Sequence, residues 1–182
     1  MRQKYFTVDI AGLKRKLPFF KTDSNITICL FNILGDTEIV VNAANQLAKK
    51  LPKNLDVIIT PEVKSIPLAF ELSRITKLPY VVARKIKKPY MKGAISAKVI
   101  SITTGQLQEI WLDGKDIALI KKKNVLILDD VVSTGSTING IKQLIKNVGG
   151  NVVAIAAVFT EGNEKKWKDI ISLGHLPIFV NK

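Results

Sequence analysis

Short apolar runs, each bounded by punctuating residues and followed by an amphipathic stretch, leave this chain few architectures. Residues 56–60, 79–83, 124–128 and 151–158 are such runs. An apolar run of strand length without polar alternation reads as a strand buried on both faces. Between the runs the apolar spacing becomes helical. Val40, Ala43, Ala44 and Leu47 mark the inward face of a helix over residues 37–50. Ile138, Ile141, Leu144, Ile145 and Val148 do the same over residues 136–148, where Gly149 and Gly150 stop the helix. Residues 65–76 read as a third helix, with Ser65 able to cap it and Pro67 tolerated in the first turn. This alternation predicts an α/β fold with a mostly parallel sheet flanked by helices.

Two stretches break the rhythm. Residues 1–34 are mixed and aromatic-rich, which suggests a small N-terminal hood on a core of residues 35–182. Residues 86–112 hold a Lys- and Pro-rich loop and then two apolar segments around Thr104-Gly105, the pattern of a hairpin or flexible flap. Residues 176–180 read as a short final strand.

Composition narrows the setting. With 47% apolar residues in 182, the chain can bury a core without disulfides. Its one cysteine, Cys29, reads as a small buried hydrophobe and suits a reducing, cytoplasmic compartment. The first residues lead into no secretory signal, and no run approaches the roughly 18 apolar residues of a membrane helix. The formal charge is +13, from 28 Lys plus Arg against 15 Asp plus Glu. Eight basic residues and no acid fall between residues 72 and 108, with Arg84, Lys85, Lys87, Lys88 and Lys92 crowded together. That stretch reads as a solvated face or as the surroundings of a small, highly charged ligand. It lacks the interleaved aromatics of a nucleic-acid surface, and the chain shows no helix-turn-helix or finger spacing.

The strongest local signal runs from Val125 to Thr137. An apolar strand delivers Asp129 and Asp130 at its C-terminal end, where open α/β sheets place ligands. Ser133, Thr134, Gly135, Ser136 and Thr137 then lead into a helix. Unpaired N–H groups at a helix start face an anion, and the hydroxyls add donors. Two adjacent carboxylates can accept hydrogen bonds from vicinal sugar hydroxyls, or orient a hydrated divalent cation. No Gly-Lys-Ser/Thr follows, so the loop is not that of the nucleotide triphosphatases.

Residues 127–137 resemble the signature for 5-phosphoribosyl 1-diphosphate (PRPP) of the type I phosphoribosyltransferases. Residues 61–69, Pro-Glu-Val-Lys-Ser-Ile-Pro-Leu-Ala, are similar to the diphosphate loop and following helix of the adenine phosphoribosyltransferases and their relatives. Arg84-Lys85 stands where those enzymes carry an Arg-Lys pair. The resemblance implies a parallel sheet with a hood over the base and a loop that closes on PRPP. It implies ribose binding by Asp129 and Asp130, and 5′-phosphate binding by Ser133 to Thr137. Diphosphate binding is implied for Val63, Lys64, Ser65, Arg84 and Lys85, often with a cis peptide in the loop. Asp129, Asp130, Arg84 and Lys64 are the candidate catalytic residues. Mg²⁺ is expected to be held mainly by PRPP, with a possible contribution from Asp129, and a homodimer is implied.

The base is the open part of this reading. The matches at residues 61–69 and 84–85 lean toward adenine among the purines. Thr103 stands where the adenine enzymes carry a base-activating glutamate. Phe19, Phe20 and Phe31 are the hood aromatics that can stack on a purine, and Glu161 is a base-side candidate beyond the fourth strand. His175, Trp111 and Trp167 read as structural. The rival reading is a PRPP-sensing regulator on the same fold that binds nucleic acid; a third is an α/β domain that keeps the loop without the activity.

Overall fold

The computed structural model describes residues 5–22, 25–100 and 107–180. The chain opens with antiparallel strands β1 (Tyr5–Ile10), β2 (Leu13–Lys21) and β3 (Ile26–Cys29). Then come α1 (Thr37–Lys50), β4 (Val57–Pro61), α2 (Ile66–Thr76) and β5 (Tyr80–Ala83). A hairpin of β6 (Ile95–Ile100) and β7 (Leu107–Leu112) leads to the single-turn α3 (Ile117–Ile120). The remaining elements are β8 (Asn124–Val132), α4 (Ser136–Asn147), β9 (Asn151–Glu161), β10 (Ile171–Leu176) and β11 (Ile178–Val180).

Five strands form the central sheet in the order β10-β9-β8-β4-β5, every neighbouring pair parallel. Pattern and fold agree here. Ile58, Leu126 and Leu128 face one core with α1 and α2, while Val57, Ile59, Val125 and Ile127 face another with α4 and the hairpin. Alternate residues of a strand point to opposite faces, so a strand covered on both must be apolar throughout. The helix over residues 37–50 has the expected bounds, with Val40, Ala43, Ala44 and Leu47 buried.

Several elements depart from the sequence reading. β8 runs four residues further, to Val132, because its pairing with β9 continues through Asp129↔Ala157 and Val131↔Phe159. The tail makes two strands: β10 extends the central sheet, and β11 pairs with β3 to complete a four-stranded hood sheet. Ser65 sits at the N-cap of α2 but makes no side-chain cap. Its hydroxyl donates to the Pro61 carbonyl at 3.1 Å and accepts from the Thr60 hydroxyl at 2.8 Å. The hairpin is packed at its base, where Ala97, Ile110 and Leu112 join the core under α4. Thr103, Thr104 and Gly105 lie outside the described residues.

The hood strands share the apolar cluster under α1 and α2 through Val8, Ile10, Leu17 and Cys29, and charge adds to this contact nearer the surface. Arg15 on β2 donates to both carboxylate oxygens of Asp36, at 2.7 and 3.1 Å, and to Glu38 at 2.6 Å. Asp36 in turn caps α1 through the Ile39 N–H. The Arg15 hydrogen bonds hold the Asp36 carboxyl below the usual carboxylate range. His175 is structural. Its Nε2–H donates to the Gly162 carbonyl at 3.0 Å, which leaves Nδ1 to accept from the Thr160 hydroxyl at 2.9 Å.

The stop after α4 is also a packing site. Gly149 adopts φ +76°, and a Cβ at Gly150 would lie 2.8 Å from the Ile120 carbonyl oxygen and 2.9 Å from Ile145 Cγ2. Gly150→Ala is expected to cost about 1–3 kcal/mol by overpacking, read as a lower urea midpoint with an unchanged slope.

Candidate active site

The strand order reverses between β4 and β8, and the loops after these two strands meet at the C-terminal edge of the sheet. Such a switch point leaves a crevice for ligand. The cavity there has a volume of about 230 Å³ and brings together residues far apart in sequence: Val63, Lys64 and Ser65 after β4, Lys85 after β5, and Asp129, Asp130 and Thr137 from β8 and α4. An adjoining cup of about 30 Å³ is lined by Ser133, Thr134, Gly135 and Ser136, and shares Asp129 and Thr137 with the larger cavity. The segments singled out in the sequence, residues 63–65, 85, 129–130 and 133–137, therefore lie around two adjoining cavities that share lining residues.

Each segment has a local reason for its shape. Asp129 and Asp130 are 8% exposed each, because the strand carries them past the sheet edge while still paired with β9. Asp129 Oδ1 accepts the Asp130 N–H at 2.8 Å. Burial, reinforced by the neighbouring Asp130 carboxylate, pushes the Asp129 carboxyl well above the ordinary carboxylate value. Gly135, at φ +83°, turns the chain into α4, and the Thr134 hydroxyl lies 3.1 Å from that of Ser136. In the loop after β4 the Glu62–Val63 peptide is cis, and Val63 and Lys64 are exposed.

Arg84 lies beside this crevice rather than among its lining residues. Its backbone pairs with Trp111, with N–H···O distances of 2.8 and 2.7 Å, and joins the hairpin to the end of β5. Its guanidinium is 3.7 Å from Glu62 Oε1, while Glu62 Oε2 accepts the Lys85 N–H at 3.2 Å. Glu62 thus pins the Arg84-Lys85 pair next to the loop it begins. No local pattern marked this role, since the partners are 23 residues away.

The base-side candidates are dispersed. Phe31 is buried and packs edge-on against Phe159 with centroids 5.0 Å apart; Phe19 packs edge-on against Phe179 at 5.5 Å. Phe20 points the other way from Phe19 and is 53% exposed. None of the three is among the residues lining the two cavities. Glu161 ends β9, buried, with its carboxyl pushed up by that burial. Burial, with a smaller effect of Glu161, pushes the Cys29 thiol up to about 11.

Among the described residues no three His, Cys, Asp or Glu side chains gather to hold a metal ion. The Asp129–Asp130 pair offers two carboxylates in a cavity that also carries Lys64 and Lys85. That donor set fits a hydrated divalent cation entering with an anionic ligand. No helix among the described residues is long and apolar enough to cross a membrane.

Residues 32–173 match the family described as the phosphoribosyl transferase domain. The chain belongs to that family. It is 32% identical over 134 residues to the hypoxanthine/guanine phosphoribosyltransferase of Methanothermococcus okinawensis, covering 73% of this chain and 69% of that protein. The same-named protein of Methanococcus voltae is 31% identical over 139 residues, with 75% and 70% covered. In fold the chain is similar to the adenine phosphoribosyltransferase of Thermoanaerobacter pseudethanolicus, with a TM-score of 0.69 at 24% identity and coverage of 94% and 95%.

The raised Asp129 pKa gives a signed prediction. An acid whose pKa is raised by folding opposes folding above its unfolded value, near 3.9, and is neutral in its effect below it. Asp129→Asn is therefore expected to raise the melting temperature at about pH 7.5 and to leave it unchanged near pH 3. Calorimetric scans at the two pH values check this.

Proposed function

We propose that the protein transfers the 5-phosphoribosyl group of PRPP to a purine base, giving a nucleoside 5′-monophosphate and diphosphate. The observation that carries this reading is the single crevice at the β4/β8 switch, where an acidic pair lies between a helix-start anion loop and a basic loop. That order matches the order of charge along PRPP: 5′-phosphate, ribose hydroxyls, diphosphate.

In this reading the loop of Ser133 to Thr137 takes the 5′-phosphate through helix-start N–H groups and hydroxyls. Asp129 and Asp130 accept hydrogen bonds from the ribose 2′- and 3′-hydroxyls. A purine nitrogen bonds to C1′ as the C1′–O bond to diphosphate breaks. The electron pair leaves on the diphosphate oxygen, and the proton of the base nitrogen passes to the departing diphosphate or to water. Positive charge on the ribose develops beside Asp129 and Asp130, and negative charge on the leaving group beside Lys64, Lys85 and Arg84. Groups that meet charge only as it develops lower the barrier. Mg²⁺ entering with PRPP would neutralise diphosphate charge, and Asp129 would be the protein group that orients its water.

For the base, the sequence matches at residues 61–69 and 84–85 support adenine, while the archaeal relatives, named for hypoxanthine and guanine, support a 6-oxopurine. Glu161 is the proposed base-side residue, and Phe20 is the hood aromatic whose ring is not engaged in core packing. The assay supplies PRPP, Mg²⁺ and one of adenine, hypoxanthine, guanine or xanthine, and identifies the nucleotide formed. A base-dependent monophosphate is the expected outcome; PRPP binding with no product from any of the four would refute the reading. Arg84→Ala is expected to lower kcat about 10–100-fold. Asp130→Asn is expected to raise KM for PRPP about tenfold through its lost ribose bonds.

A second reading, a PRPP-responsive protein that binds nucleic acid, draws on the opposite pole. There Lys49 and Lys50 end α1, Lys53 follows it, Lys121 to Lys123 precede β8, and Lys146 lies in the last turn of α4, all exposed. Asp56, 3.7 Å from Lys123, is the one acid in these segments. A shallow depression of about 810 Å³ lies between Lys121 and Lys146. This reading expects an RNA hairpin or duplex DNA to bind with steep salt dependence and to be lost in a Lys121/Lys122/Lys123→Glu variant. Anisotropy that stays flat with both probes at low salt removes it.

A further inference from the structure

The chain that leaves β9 folds back over the outside of the phosphate loop. Gly162, at φ +85°, turns it, and Glu164–Trp167 forms one tight 3₁₀ turn capped by Asn163. The Trp167 indole N–H donates to the Glu161 carbonyl at 2.9 Å. Its ring closes on Gly135 so tightly that a Cβ there would lie 2.8 Å from the indole Cη2. Lys166 Nζ stands 4.4 Å over the same ring and donates to the Thr134 carbonyl at 3.0 Å. Gly135 is thus required twice, by its positive φ and by the indole against it.

The phosphate loop has no cation of its own: residues 124–141 contain neither Lys nor Arg. A phosphate dianion in the cup would meet N–H and hydroxyl dipoles from that segment, and the Asp129 carboxyl at its edge, but no positive charge. Lys166 supplies positive charge from 32 residues further along the chain. It does so at an informative atom. The Thr134 carbonyl and the Gly135 N–H belong to one peptide unit, so an ammonium on the oxygen polarises the group and makes its N–H a stronger donor. The stacked indole holds the lysine over the loop, and cation–π attraction favours that placement.

We propose that Lys166 is a positioning residue for the phosphate end of the ligand. It braces and polarises the Thr134–Gly135 peptide from outside the cup, with Trp167 as its platform. This rests on the reading that the cup takes a 5′-phosphate. It adds a binding determinant from beyond β9 and joins the base-side strand end at Glu161 to the phosphate loop.

The test uses the full chain, with ribose 5-phosphate as the calorimetric probe and PRPP as the varied substrate. Lys166→Met keeps the stem and removes the charge; Lys166→Arg keeps the charge, and Lys166→Gln serves if the methionine variant does not fold. The expected result is about tenfold weaker ribose 5-phosphate binding in Lys166→Met, the scale of one charge-assisted hydrogen bond. KM for PRPP should rise by a similar factor and KM for the base by less than about threefold, with arginine restoring most of the loss. Equal affinity for ribose 5-phosphate in wild type and Lys166→Met would overturn the proposal. So would a loss shared equally by both substrates and accompanied by a lower melting temperature, the mark of a structural role. The enzyme reading fails separately: Lys166-dependent ribose 5-phosphate binding without nucleotide from any base sinks the reaction and leaves the brace standing.

Discussion

Strand β8 is the constraint on which the site depends. It is the only strand of the central sheet with a partner on each side and an acidic pair at its C-terminal end. Pairing with β9 persists through Asp129 and Val131, so backbone hydrogen bonds, rather than a loop, determine where the two carboxylates stand. Rigid support of this kind places side chains more closely than a loop does. The cost is electrostatic, because two like charges are drawn out of water together. Asp129 carries that cost in its raised pKa, and a ligand bearing hydroxyls, cations or developing positive charge relieves it. The fold thus carries an electrostatic cost at the C-terminal end of β8.

Around β8 the remaining parts divide by charge. The loop after it offers dipoles without cations; the loop after β4 and the end of β5 offer Lys64, Arg84 and Lys85. Glu62 keeps the two basic residues in register with their loop. The hood packs into the core's apolar cluster and is also linked to it by Arg15 and Asp36, the same aspartate that caps α1. A capping residue that also anchors another sheet makes the start of α1 a junction rather than a free end.

What could be read in the sequence was what local periodicity encodes. The apolar face of α1, the strand of residues 124–128 and the acidic pair with its hydroxyl loop each announce themselves within a dozen residues. What could not be read depends on distant partners. Ser65 has the right type and place for a cap, yet its hydroxyl is engaged by Thr60 and Pro61. The sequence reading has only one tail strand, residues 176–180, and does not include the strand Ile171–Leu176. Gly174 is needed there because a Cβ would meet Phe159 at 2.9 Å, and His175 is neutralised as a polar burden by Thr160 and Gly162. Lys166 and Trp167 sit in a charged stretch whose meaning lies wholly in what it touches.

One consequence of the strand arrangement concerns time. Strand β11 follows every element of the central sheet in chain order, yet its partner β3 belongs to the opening segment. A nascent chain emerging from the ribosome therefore makes β1, β2 and β3 first and must leave β3 with an unsatisfied edge while the whole core is synthesised. Only Pro177 separates the last core strand from the strand that closes the hood. Completion of the outer edge of the core thus delivers the hood's missing strand within a residue. The two sheets mature together, and the exposed edge of β3 is a vulnerability of synthesis rather than of the finished protein.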